Sequence, residues 1–173
     1  MSPAAPRSLA EFMAQALAME REAVERYTEF ADAMEMHNNR EVAALFRTMA
    51  EYEGKHASQI MAEMGWQEAP ASPLAGALAW PGFEAPETVP IDAVHYLMQP
   101  WHALHLALAA EQRAEAFFGE LAQATSDASV RRAALEMQAE EREHVELVRT
   151  WLDKVPVPDG DWAADPDPPR YTD

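Results

Sequence analysis

Two stretches of the chain, EGKH at 53–56 and EREH at 141–144, share one spacing: a carboxylate and, three residues later, an imidazole. Residues three apart lie on one face of a helix, so Glu53 with His56, and Glu141 with His144, can each reach a single centre. Mixed oxygen and nitrogen donors of this kind suit iron or manganese better than a closed structural zinc site. One such pair alone reads more plainly as a polar helix face with an incidental histidine. The pair occurs twice, 88 positions apart, and each copy follows a further glutamate, Glu20 or Glu111, themselves 91 positions apart. The chain thus carries an internal repeat whose unit is a glutamate on one helix and Glu-x-x-His on the next.

For these side chains to meet, four long helices must bring them to one level. The first begins at Ser8, with Glu11 placed for a capping box. Its apolar positions, among them Phe12, Leu17, Val24, Tyr27, Phe30 and Met34, recur every three or four residues up to the turn at His37-Asn38-Asn39. The second runs from about Arg40 to Met64 and stops at Gly65. The third runs from about Pro100 to Thr125. Ser126-Asp127 forms the turn and cap before the fourth, which runs from about Ala128 to Lys154 and stops short of Pro156. Each apolar stripe is interrupted on the face that should be buried: by Glu20, by Glu53 and His56, by Glu111, and by Glu141 and His144. A buried ion costs several kcal/mol even after relaxation, and no Lys or Arg occupies a stripe position to offset it. Two divalent ions would balance the four carboxylates. The predicted fold is all-α: a four-helix bundle of two antiparallel helix hairpins joined by a long crossover, with a di-iron or di-manganese carboxylate site between them.

Composition agrees and narrows the functions. A chain of 173 residues is long enough for one domain with a sizeable core. Scarce glycine and abundant Ala, Glu, Met and Leu favour helix over strand. The formal net charge of −17 argues against nucleic acid or an anionic membrane as partner and suits the attraction of cations. The absence of cysteine removes disulfides, thiolate metal sites, iron–sulfur clusters and cysteine nucleophiles together. The opening residues, MSPAAPRSLAEF, lack the apolar run of a signal peptide, and no uncharged stretch is long enough to span a bilayer, so a cytoplasmic location is expected. The ten methionines read as flexible core filler.

Between the hairpins, residues 65–90 are rich in Pro, Gly and Ala and are expected to form the crossover, with Trp66, Trp80 and Phe83 as anchors. A short helical piece is expected over Ile91–Gln99, ending at Pro100. The domain reading is a bundle over residues 1–155 and an acidic, Pro-rich tail over 156–173, disordered or loosely docked.

With the elements in order, Glu20…Tyr27, Glu53…His56, Glu111…Phe118 and Glu141…His144, the chain resembles the rubrerythrin group of the ferritin-like superfamily over roughly Leu9 to Lys154. The resemblance implies two non-haem iron ions, with manganese or zinc as substitutes. It makes Glu20 and Glu111 terminal ligands, one to each metal, and Glu53 and Glu141 bridging carboxylates. His56 then binds the first metal and His144 the second, and Tyr27 is a hydrogen-bond partner just outside the ligands or a redox-active phenol. It implies an oxidoreductase that oxidises Fe(II) with peroxide or oxygen, in oxidative stress or iron handling, with a homodimer as the expected assembly. The alternative is a non-catalytic iron-binding or partner-docking protein with a buffered di-metal site.

Three departures qualify the resemblance. Phe118 stands where the family pattern has a second tyrosine. The lack of cysteine rules out an attached rubredoxin-type iron centre, so electrons must come from an external donor or from ferrous iron. The family's extra carboxylate, one turn after the third-helix ligand, is missing, with Ala114 at i+3 and Glu115 at i+4. Glu115 is the candidate replacement, and Glu140 is the rival of Glu141, whereas Glu143 should face solvent. His102 and His105 are expected at the surface or an interface, because His105 precedes Glu111 by roughly 9 Å of helix rise. His37 and His95 are given no role.

Overall fold

The computed structural model describes Pro6, residues 8–70 and residues 85–168. The expected anchors Trp80 and Phe83 lie outside the described residues. Four long helices dominate: α1 (Leu9–Met36), α2 (Arg40–Met64), α3 (Pro100–Ala124) and α4 (Ala128–Leu152). Their ends follow local chemistry. Ser8 Oγ accepts from the Glu11 amide, and Asp127 accepts from the amides of Ser129 and Val130, so both side chains satisfy donors that a helix start leaves free. Gly65 ends α2 in the left-handed region at φ 65°, where a Cβ would be strained.

One expectation fails. The segment before α3 is not a helical piece over Ile91–Gln99 but a single 3-10 turn, Ile91–Ala93, followed by extended and turn residues. Gln99 precedes Pro100 and is held extended by the proline ring (φ −108°, ψ 166°). Asn39 Nδ2 donates to the carbonyls of Tyr96 and Met98 and so fixes the extended path into Pro100.

The helices α1 and α2 pack as one antiparallel hairpin and α3 and α4 as the other, while backbone approach between hairpins is sparse. The hairpins therefore meet mainly through side chains, which leaves room between them for long ones. Two apolar clusters fill that space. One contains Phe12, Leu17, Ile60, Phe118, Val130 and Met137. The other contains Tyr27, Phe30, Phe46, Met49, Leu104 and Val148. Between them each helix contributes one buried glutamate: Glu20 after Met19, Glu53 after Met49, Glu111 after Ala110 and Glu141 after Met137. The candidate site is thus a polar layer sealed on both sides by hydrocarbon.

Beyond α4, Trp162 packs partly buried against the second cluster and meets the His102 ring at 3.9 Å, and Tyr96 Oη donates to Asp165 at 2.6 Å. Among the described residues no helix is long and apolar enough to cross a membrane.

Candidate metal centre

All four glutamates singled out from the stripes are at most 2% exposed. The two histidines are partly buried beside them, their rings stacked at 4.4 Å and 16°. The repeat is visible in the distances. His56 Nδ1 lies 3.7 Å from Glu20 and 3.9 Å from Glu53, both of its own hairpin. His144 Nδ1 lies 3.4 Å from Glu111 and 3.5 Å from Glu141 of the other. Each hairpin thus presents two carboxylates and one imidazole nitrogen to a common point, and the two points adjoin.

The rivals sit elsewhere. Glu140 is half-buried at the wall of a small cavity of about 40 Å³ beside His56, together with Glu63 and Glu136. Glu143 is exposed. Glu115 turns away from the layer and accepts from Arg142 Nε at 2.9 Å. Ala114 is fully buried but brings only a methyl group. A carboxylate is therefore not supplied by α3 at the turn after Glu111.

A fifth one arrives from a direction that helix periodicity could not reveal. Glu87, in the crossover, is fully buried, and neither of its oxygens has a hydrogen-bond partner. One ligand atom each from Glu20, Glu87 and Glu141 lie within 4.8 Å of one another, and so do atoms from Glu53, Glu87 and Glu111. The corresponding groups with imidazoles are Glu20, Glu53 and His56, and His56, Glu141 and His144. A sequence signal exists in hindsight. Glu87 stands in APETVP, bracketed by two prolines and flanked by small and apolar residues, an odd setting for a solvated acid.

Tyr27 is also fully buried, stacked on Phe46 at 6.0 Å, with its hydroxyl unpartnered. Phe118 packs edge-on against Phe12. Tyr52, which the stripes did not flag, presents its ring to the edge of His144 at 6.5 Å and to Trp151 at 5.8 Å.

The electrostatics among the protein's own groups are those of buried acids that repel one another. Burial, then repulsion from Glu87, pushes the carboxyls of Glu20, Glu53 and Glu141 well above the usual range. Burial and the nearby Glu111 push Glu87 up to about 8. Burial acts on Glu111 too, but the approach of His144 and of the Glu141 carboxyl outweighs it and holds Glu111 below its ordinary value. His144 is burdened by burial yet raised by the same contact with Glu111, whereas burial and repulsion from His144 push His56 down to about 4. Of the two stacked rings, His144 is the one whose surroundings favour the proton.

The rubrerythrin family profile matches residues 11–85, which take in the first hairpin and the start of the described crossover. No curated protein matches the sequence. Among solved structures, an uncharacterized conserved protein from Magnetospirillum magnetotacticum MS-1 is 38% identical, with a TM-score of 0.65 over 88% of this chain and 98% of that one. A bacterioferritin from Rhodobacter capsulatus, described with a metal-free dinuclear site and a haem iron, is 19% identical, with a TM-score of 0.53 over 84% of this chain and 83% of that one. The latter likeness shows a shared ferritin-like bundle. With four helices in two hairpins, the repeated Glu and Glu-x-x-His elements in register, and a near-full-length relative at this identity, the chain belongs to the rubrerythrin family of ferritin-like proteins.

Proposed function

We propose that this chain is a non-haem di-iron oxidoreductase that oxidises Fe(II) with peroxide or oxygen. The observation that supports it is the set of orphaned donors. Both oxygens of Glu20 and Glu141, one each of Glu53 and Glu111, and Nδ1 of His56 are buried without a hydrogen-bond partner. Buried polar atoms are rarely left so, and carboxylate and imidazole donors fit iron or manganese. Glu20, Glu53 and His56 would hold one ion and Glu111, Glu141 and His144 the other, with Glu53 and Glu141 reaching both. Two bound irons would supply one electron each.

The chain's own groups do the rest. The apolar clusters above and below exclude bulk water, so the charge on each carboxylate acts at full strength. Because burial favours the protonated carboxyl in Glu20, Glu53 and Glu141, metal loading displaces protons from the layer. Reduction of the peroxide O–O bond takes two electrons and two protons and leaves two waters, so the consumption ratio is fixed at half a peroxide per iron. Glu63, Glu136 and Glu140 line the cavity beside His56 and give an incoming cation an acidic approach.

The test is direct. Protein loaded with Fe(II) without oxygen is expected to hold about two irons per chain and to consume about half a peroxide per iron. A Glu53→Ala control should do neither. Metal content near zero in a folded wild type overturns the site. Two irons without consumption above the control leave the second reading, a buffered iron site. The adjoining cavity of about 40 Å³ suits a small oxidant, so consumption is what separates the two readings. The proposed external donor and homodimer are checked by reduction assays with candidate electron carriers and by light scattering.

A further inference from the structure

We propose that Glu87 is a seventh protein ligand of the di-metal centre, so that the crossover completes a site otherwise built by the helices. The inference rests on the di-metal reading above and adds to it a residue from outside the repeat.

Glu87 shares close groups with all four helix carboxylates and with neither histidine, so it enters the layer on its carboxylate side. Nothing in the local chain forces it there. The neighbouring Pro86 is half-buried and Pro90 is exposed, so an outward-facing acid was open to this turn. Instead the turn is clamped with the side chain inward. The Thr88 amide donates to the Ala85 carbonyl, and the Ala85 amide donates to Glu22 of α1 at 3.2 Å. Arg113 of α3 donates to the carbonyls of Pro86 and Thr88, and Arg26 of α1 donates to that of Val89 at 2.7 Å.

The choice of acceptors is informative. Arg113 binds the backbone on either side of Glu87 and leaves the carboxylate itself alone. A glutamate buried for structural reasons would be expected to take that guanidinium, because an arginine fork matches a carboxylate. Here the arginines fix the peptide and the acid stays open toward the layer. Arg113 sits two residues after Glu111, and Glu22 two residues after Glu20, so the clamp is carried by the same helices as the ligands. Arg26, Arg113 and Glu22 are positioning residues for Glu87.

Charge supports the assignment. Four carboxylates neutralise a di-ferrous pair but leave a di-ferric pair two charges positive. A fifth halves that excess and puts the site within one charge of neutrality in both states, which matters in a layer this dry.

The test uses Co(II), a visible stand-in for Fe(II), titrated into the full chain and into Glu87→Gln. Expected are two Co(II) per wild-type chain and, in the variant, at least about tenfold weaker binding of one or both ions with a changed visible band, at wild-type helix content. Unchanged affinity and spectrum in the variant overturn the role of Glu87 while leaving the di-metal reading standing. Failure of the wild type to bind Co(II) removes both. If Glu87→Gln does not fold, hydrogen exchange in the wild type decides. Co(II) should slow the amides of residues 87–89 more than those of the α3–α4 turn at 125–127, and equal slowing overturns the proposal.

Discussion

His56 and His144 hold equivalent places in the repeat and stack on one another, yet their outer edges face different walls. His56 opens on the small acidic cavity lined by Glu63, Glu136 and Glu140. His144 is backed by Tyr52, and Tyr52 by Trp151. The glutamates differ likewise: burial wins at Glu20, while at Glu111 the contact with His144 wins. Seven residues beyond these, one hairpin carries a buried phenol and the other a phenyl ring. The repeat therefore preserves the carboxylate and imidazole groups and their spacing, while the packing around each copy sets which ring is favoured to carry a proton and which faces an acidic cavity. Duplication repeats the chemical groups; asymmetry of the surroundings is free to differentiate them.

The strongest way to probe this is at the two carboxylates that the repeat makes interchangeable. Glu53→Ala and Glu141→Ala are each expected to weaken metal binding by more than about 100-fold, with metal content falling from two toward zero by elemental analysis. Equal losses mean that the halves ligate alike, and one ion retained in either variant shows which half binds independently.

The aromatic difference comes next. Phe118→Tyr would place a hydroxyl against Phe12 in an apolar cluster, at a cost of about 1–3 kcal/mol in chemical denaturation. Tyr27→Phe removes a buried hydroxyl without a hydrogen-bond partner and should leave metal-free stability unchanged or higher. If Tyr27→Phe instead destabilises the metal-free protein, the phenol has a partner and the contrast between the copies weakens.

Acidity sharpens the comparison further. A group whose folded pKa is raised contributes stability that is complete below its unfolded value and lost as pH rises through its folded one. His144, Glu20, Glu53 and Glu141 are raised, and Glu87 is raised to about 8. His56 and Glu111 are lowered, so their contributions change below pH 6.5 and not above it. Metal-free protein should therefore melt at progressively lower temperature between pH 6.5 and 8.5. Metal-loaded protein should lose that trend, because ligation strengthens as the ligands deprotonate. A flat metal-free profile would show that the layer is hydrated.

The smallest effect belongs to the surface. Each hairpin is laced by its own ion pairs, Arg47 to Asp32 and Glu35 in one and Arg142 to Glu115 in the other. Glu115→Ala should cost about 0–1 kcal/mol and leave metal content at two. Loss of an ion in this variant would return Glu115 to the ligand set.

Helix-borne features were legible because a helix writes its buried face into the sequence every three or four residues. Glu20, Glu53, Glu111 and Glu141 break that rhythm at one level, and Ser8, Gly65 and Asp127 mark ends through local hydrogen bonding or backbone sign. Glu87 obeys no rhythm. Its inward aim comes from Arg113 and Arg26 holding carbonyls across the fold, long-range contacts that no local window contains. The stretch before α3 is hidden from a local window for a related reason: Asn39, more than fifty residues upstream, holds the carbonyls of Tyr96 and Met98 and fixes its extended path. Tyr52 escaped notice because its neighbour Glu53 already accounted for that turn, and its contact is with another hairpin.

The cavity beside His56 has one more property. Besides its acids it is walled by the side chains of Met13 and Met137, both otherwise buried. Thioethers accept an oxygen atom readily and can be restored by reductases. Under the proposed activity, an oxidant that entered this cavity would meet two oxidisable sulfurs beside the imidazole. Sulfoxide at either position would turn an apolar wall polar in the cluster that seals the layer.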